Sequence, residues 1–261
     1  SGPLGKDATF IVPNGASLST VADRLESKGV IASASGFKMR SRVFGGGRDI
    51  KAGAFEIPAG ASMSRVLSII TSDDVIRRFV MVPEGMPSIM VYERLMAQEH
   101  LTGDLEVPAE ASVLPDSYAI EKGESRQAVL LRMQTAMNRT LAELWANRGP
   151  NTVVKTPEEA LVLASIVEKE TGKASERKMV AGLYSNRIRQ GMMLQADPTI
   201  IYPITKGKPL GRRIKQSEIQ AVNEYNTYTM VGLPKFPITN PGKDSIEAVL
   251  HPAKTTALYM V

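Results

Sequence analysis

Glu168 and Glu170 stand two positions apart at the end of a run in which Leu161, Val162, Leu163, Ala164, Ile166 and Val167 are all apolar. If that run is a helix, its apolar residues surround the whole cylinder, so it belongs in a core. A carboxyl group at the tail of such a helix loses hydration, which favours its protonated form and suits it to donate a proton. Two carboxylates flanking one bond are the ordinary equipment for cutting a glycosidic linkage. Here the helical spacing places them about 200° apart in projection, Glu170 between Leu163 and Ile166 and Glu168 near Leu161 and Ala164, so the two cannot serve the same bond. What remains is single-acid chemistry, or a helix-end glutamate paired with Lys169 or Lys173.

Other chemistries find little support. Cysteine is absent, so there is no thiol nucleophile, disulfide or thiolate metal site. His100 and His251 are the only imidazoles, and neither sits in a zinc-protease spacing; no metal site and no cofactor is expected. The net charge of +5 arises from dispersed basic residues without an aromatic signature, which argues against nucleic acid as partner. No apolar run approaches the roughly 18 residues of a membrane span.

The elements that must hold the glutamates are legible. Thr156-Pro157-Glu158-Glu159 starts the apolar helix, with threonine as N-cap, proline at the first position and Glu159 completing a capping box. Before it, residues 126–147 form an amphipathic helix with Leu130, Met133, Met137, Leu141 and Leu144 along one face. Upstream, FIVPNGASLSTV at Phe10–Val21 aligns with FEIPAGASMSRV at Phe55–Val66, and VMVPEGMPSIMV at Val80–Val91 is a looser third copy. Each copy reads as strand, Pro-x-Gly turn and helix, with Ser17 and Ser62 as caps in the first two and Gly29 closing the first helix. Gly45-Gly46-Gly47 reads as a flexible turn between copies. Such units resemble LysM-type modules, which bind N-acetylglucosamine-containing glycans. The expectation is an α+β chain: a LysM-like strand-helix repeat region over 8–100, a loop-rich connector over 101–125, and a mixed α+β catalytic domain over 126–261.

Several motifs recur in one order: PEG at Pro83–Gly85, LPDSY at Leu114–Tyr118, LASIVEKET at Leu163–Thr171, SER at Ser175–Arg177, NRIRQGMMLQADPTIIY at Asn186–Tyr202, YNTY at Tyr225–Tyr228, GLP at Gly232–Pro234, ITNPG at Ile238–Gly242 and LYMV at Leu258–Val261. Together they resemble the endolytic murein transglycosylase family (MltG, or YceG-like), over nearly the whole chain. The resemblance implies an enzyme that cuts peptidoglycan glycan strands, with Glu170, in its Glu-Thr pair, as the catalytic acid in preference to Glu168. It further implies substrate contacts from Gln195, Asp197, Tyr225, Asn226 and Arg187, each of which also has a plain structural reading as turn, core or helix charge. Family members carry one N-terminal membrane helix, so the resemblance implies anchorage in the bacterial inner membrane with the catalytic part in the periplasm, and peptidoglycan synthases as partners. Two rivals stay open: a non-catalytic wall-binding protein, and a muramidase-type hydrolase.

Overall fold

The computed structural model describes residues 2–13, 15–44, 49–72 and 78–259. In chain order its elements are β1 Ala8–Val12, α1 Leu18–Ser27, α2 Ala34–Phe44, β2 Gly53–Ile57, α3 Met63–Ile70, β3 Arg78–Met81, α4 Ser88–Met96, β4 Ser117–Ile120, α5 Arg126–Ala146, α6 Pro157–Glu170, α7 Ala174–Arg189, α8 Pro198–Thr205, α9 Gln216–Ile219 and α10 Lys243–Leu250. This is a mixed α+β protein with small sheets, β1 with β2 and β3 with β4. The glycine turn expected at Gly45-Gly46-Gly47 lies outside the described residues, as do Met260 and Val261 of the last motif.

The repeat has a structural cause in all three copies. A hydrogen bond from Ala16 N–H to the Pro13 carbonyl (3.2 Å) is repeated by Ala61 to Pro58 (3.1 Å) and Met86 to Pro83 (3.2 Å). The glycine inside each turn, Gly15, Gly60 or Gly85, has φ between +67° and +72°, a conformation that costs glycine little and other residues more. Ser17 and Ser62 then accept hydrogen bonds from the N–H groups of Thr20 and Arg65, capping α1 and α3. Gly29, at φ +67°, ends α1, while the Val30 N–H reaches the Leu25 carbonyl at 2.9 Å.

Two compact units divide the chain: 1–79 with 119–124, and 80–118 with 125–261. In the first, β1 and β2 pair antiparallel with Phe10 opposite Phe55, so the equivalent residues of the first two copies face each other. Both phenyl rings are buried, together with Phe37, Val21, Leu25, Val66 and Ile70. On the other face, Thr9 donates to Glu56 at 2.9 Å. The order strand, helix, helix, strand thus closes a small core on one face of a two-stranded sheet.

The second unit is built on α5, α6, α7 and α10. Ala160, Leu163, Ala164, Ile166 and Val167 of α6 lie in its core with Tyr184, Ile246, Val249 and Leu250. Thr156 caps α6 by accepting from the Glu159 N–H, and Glu159 reaches back to the N–H of Lys155 at 2.6 Å, one residue earlier than in a standard capping box. The division differs from the one expected at 100–125. The third copy packs with the second unit: Ser88 at the start of α4 donates its N–H to Glu110 (3.0 Å), and its hydroxyl is bonded to Asn240 (3.0 Å). Nor are residues 101–125 a tether. The Val113 N–H is held by the Asn240 side chain at 3.1 Å. The Arg126 guanidinium gathers the carbonyls of Leu95, Met96, Gln98 and Gly103 at 2.7–3.1 Å. Loop composition hid this order because side chains, not backbone periodicity, supply it.

Candidate active site

The end of α6 separates the two carboxylates as the helical projection requires. Glu168 is buried and its oxygens are consumed: one lies 3.4 Å from Arg177 and the other accepts the Gly242 N–H at 2.9 Å. Arg177, itself buried, also binds Glu84 at 2.6 Å and Asp244 at 3.3 Å. This cluster ties the turn of the third copy, α6, α7 and the start of α10 together. A buried carboxylate satisfied in this way is structural, since removing its partner would strand a charge away from water.

Glu170 is half-buried and faces a different group. Tyr184, fully buried on α7, gives it a hydrogen bond, and the charges of Asp197 and Arg187 act on it. Burial raises the proton affinity of its carboxyl; the Tyr184 hydroxyl and the Arg187 charge oppose that rise, and the Asp197 charge adds to it. Tyr184 responds in kind, its phenol pushed up by burial and by the neighbouring Glu170 carboxylate. The result is an acid held protonated above the usual carboxylate range, with a positioned donor beside it.

Arg187 is buried and fixed rather than free. Its Nε donates to the Leu258 carbonyl at 2.7 Å and Nη1 to the Leu194 carbonyl at 2.6 Å, while Tyr259 covers the guanidinium at 5.1 Å. It therefore joins α7 to the loop bearing Gln195 and Asp197. Thr227 and Thr199 shape that loop: the Ala196 N–H donates to the Thr227 hydroxyl at 2.9 Å, and the two hydroxyls meet at 2.9 Å. Gln195 sits at φ +51° with its N–H on the Thr227 carbonyl and its side chain exposed. Asp197 is exposed and accepts a 2.6 Å hydrogen bond from Tyr228; burial first, then this bond, pushes the Tyr228 phenol up to about 12.

Glu170, Arg187 and Asp197 are thus brought together, with Gln195 adjacent in the same loop. The other two residues singled out from the sequence have side chains engaged by other partners. Tyr225 stacks between Tyr202 (4.9 Å) and Phe236 (5.9 Å). Asn226 is fully buried, and its amide donates to the carbonyls of Glu218, Ile219 and Ala221, so its side chain is spent on the end of α9. From the other side Arg212 grips Glu218 through both carboxylate oxygens. That hydrogen bond, first of several causes, lowers the Glu218 carboxyl to about 2. This gives the irregular stretch 206–214 a local task.

Tyr184, Thr199, Thr227 and Tyr228 escaped the sequence reading. Tyr184 had a signal: it precedes Arg187 by three residues on one helix, hence shares its face. Among the described residues no group of three or more His, Cys, Asp or Glu could hold a metal ion, and no helix is long and apolar enough to cross a membrane.

The chain is 24% identical to an endolytic murein transglycosylase of Bacillus subtilis over 99% of its length and 81% of the relative's. It is 33% identical to an endolytic murein transglycosylase of Streptococcus pneumoniae over 58% of this chain, which is only 28% of that protein. A crystal structure of a YceG-like protein from Listeria monocytogenes superimposes with a TM-score of 0.57 at 23% identity, covering 98% of this chain and 93% of the other, and so shares the fold. The sequence model of the YceG-like family matches residues 10–261, and the chain belongs to that family.

Proposed function

We propose that this protein is an endolytic lytic transglycosylase that cleaves the β-1,4 bond between N-acetylmuramic acid and N-acetylglucosamine in peptidoglycan strands, with Glu170 as its general acid and base. The observation that carries the reading is the state of Glu170: half-buried, with raised proton affinity and a hydrogen bond from Tyr184. The names of the Bacillus and Streptococcus relatives support the same class of reaction.

In the first step the Glu170 proton passes to the glycosidic oxygen and the bond from muramic C1 breaks. The C6 hydroxyl of the same sugar then attacks C1, and its proton returns to Glu170. The product is a 1,6-anhydro ring, and no water is consumed. Tyr184 steadies the carboxylate that forms between the two transfers. Asp197 places negative charge near the positive character that develops at C1. Arg187 fixes the loop that carries Asp197, and Gln195 offers an exposed amide for hydrogen bonding to sugar.

A second reading has one observation in its favour. Asp197 is close enough to influence Glu170, and a second carboxylate there could activate a water, giving a muramidase-type hydrolase. Mass spectrometry of digested strands separates the two: anhydro ends lack the water that hydrolytic ends contain. Loss of digestion in Glu170→Gln, with the fold intact, supports catalysis by this residue; equal digestion by that variant overturns it, and no digestion by either protein favours a non-catalytic wall-binding protein.

The resemblance also motivates three wider parts of the proposal. The first unit's strand-helix-helix-strand order suits a LysM-like glycan-binding role. An anchor outside this sequence would hold the protein at the inner membrane, facing the periplasm. Peptidoglycan synthases would be its neighbours there, supplying the strands that it cuts.

A further inference from the structure

A cavity of about 480 Å³ lies in the second unit, walled by the Pro83–Pro87 turn, Met90, Lys169, Pro198 and Tyr202. It does not include Glu170, yet two of its residues adjoin that site in sequence: Lys169 precedes Glu170, and Pro198 follows Asp197. Its walls are mostly apolar, so its charges decide what it can hold. Glu84 is bound by Arg177, and Lys208 by Glu93. Glu110, beneath Tyr202, is spent on the Ser88 N–H and on a hydrogen bond with Tyr202. Lys169 is exposed and, among the described residues, has no hydrogen bond or ion pair; its charge acts on Glu110 only as the last of several influences on that carboxyl. One uncommitted cation therefore faces an apolar trough beside the acid.

Resting on the reading of Glu170 above, we propose that this cavity receives the peptide stem of the glycan substrate, with Lys169 pairing to one of the stem's carboxylates. The chemistry of the substrate demands a place of this kind. Muramic acid carries its peptide on a lactyl ether at C3, on the same ring whose C1 bond would be broken. An acid poised at C1 must have room beside it for that branch. A stem of alanine, γ-linked glutamate and a diamino acid offers apolar carbons for Pro87, Met90 and Ile201 and a carboxylate for the Lys169 ammonium group, a pairing worth about a tenfold change in affinity.

The test uses the whole chain and the free tripeptide L-alanyl-γ-D-glutamyl-L-lysine, beside the same peptide with both carboxylates amidated. Binding is followed by NMR of the methionine and isoleucine methyl groups. The expected result is saturable binding of the acid form that moves Met86, Met90 and Ile201, weakened about tenfold in Lys169→Met and kept in Lys169→Arg. The amidated peptide should bind weakly to all three proteins. Absent saturation, perturbations confined to other methyl groups, or equal affinity of Lys169→Met and the parent protein would overturn the proposal. Peptide binding needs no turnover, so the two ideas fail separately. Tripeptide bound here with no strand cleavage sinks the transglycosylase reading alone. Strand cleavage that depends on Glu170, without tripeptide binding, sinks the subsite alone.

Discussion

Glu168 and Glu170 occupy one turn of α6 but answer to opposite sides of the second unit, Glu168 to Arg177 and the Gly242 amide, Glu170 to Tyr184. One helix therefore carries a carboxylate that holds the fold and another that can exchange a proton. Glu170→Gln should lower strand cleavage by about 10²–10⁴-fold with little loss of Tm. Glu168→Gln should do the reverse in kind, lowering Tm by weakening the Arg177 cluster, at a cost of about 3 kcal/mol or more. Cleavage assays beside thermal melts decide between these assignments, and a Glu168→Gln protein with unchanged Tm would contradict this one.

Stability should depend on pH through Glu170 in a definite direction. Burial raises its folded-state proton affinity above the unfolded value, so its favourable contribution is full at pH values below the unfolded carboxylate range. That contribution disappears as pH rises through the folded pKa. Glu170→Gln should then match the parent protein in acid and exceed its Tm near neutral pH, by about 2–4 °C for each kcal/mol recovered. Melts at both pH values check this, and a gain in acid alone would reverse the sign.

Arg187 lowers the proton affinity of Glu170. Its replacement by methionine should shift the alkaline limb of kcat/KM to higher pH while reducing the rate, because the loop bearing Asp197 loses its anchor on the Leu194 carbonyl. A pH profile distinguishes this from simple damage, which would lower the rate without moving the limb.

Phe10 and Phe55, opposed on β1 and β2, are the largest side chains shared by the repeat. Phe55→Ala should cost about 3–5 kcal/mol. In calorimetry the loss should fall on the transition of the first unit, with Glu170-dependent cleavage in the second retained on short strands. A single transition lowered as a whole would show instead that the two units melt together.

The sequence was informative where local chemistry alone decides a conformation. Ser17, Ser62 and Thr156 cap helices as their positions imply, and the Pro-x-Gly turns recur because each glycine must enter the left-handed region. Periodicity marked α5 and α6, and the helical angle separated Glu168 from Glu170. Less could be read where partners lie far along the chain. Asn226 matched a motif and invited a sugar contact, but three carbonyls of the neighbouring turn use its amide. Glu110 drew no notice at all, because its neighbours Ser88 and Tyr202 come from distant segments. The division of the chain shifted for the same reason: α4 resembles the first two repeats locally, yet Asn240, more than 150 residues away, holds its start.

Arg126 gives the stretch between α4 and α5 an unusual kind of order. A loop of this length would ordinarily be an early target for proteases, but one planar fork fastens its Gln98 and Gly103 carbonyls to the Leu95 and Met96 carbonyls at the end of α4. The rigidity of residues 95–103 is stored largely in a single side chain: an ammonium group, lacking that geometry, could not replace it piecemeal, and losing this clasp would open that part of the span to cleavage while Asn240 still held Val113.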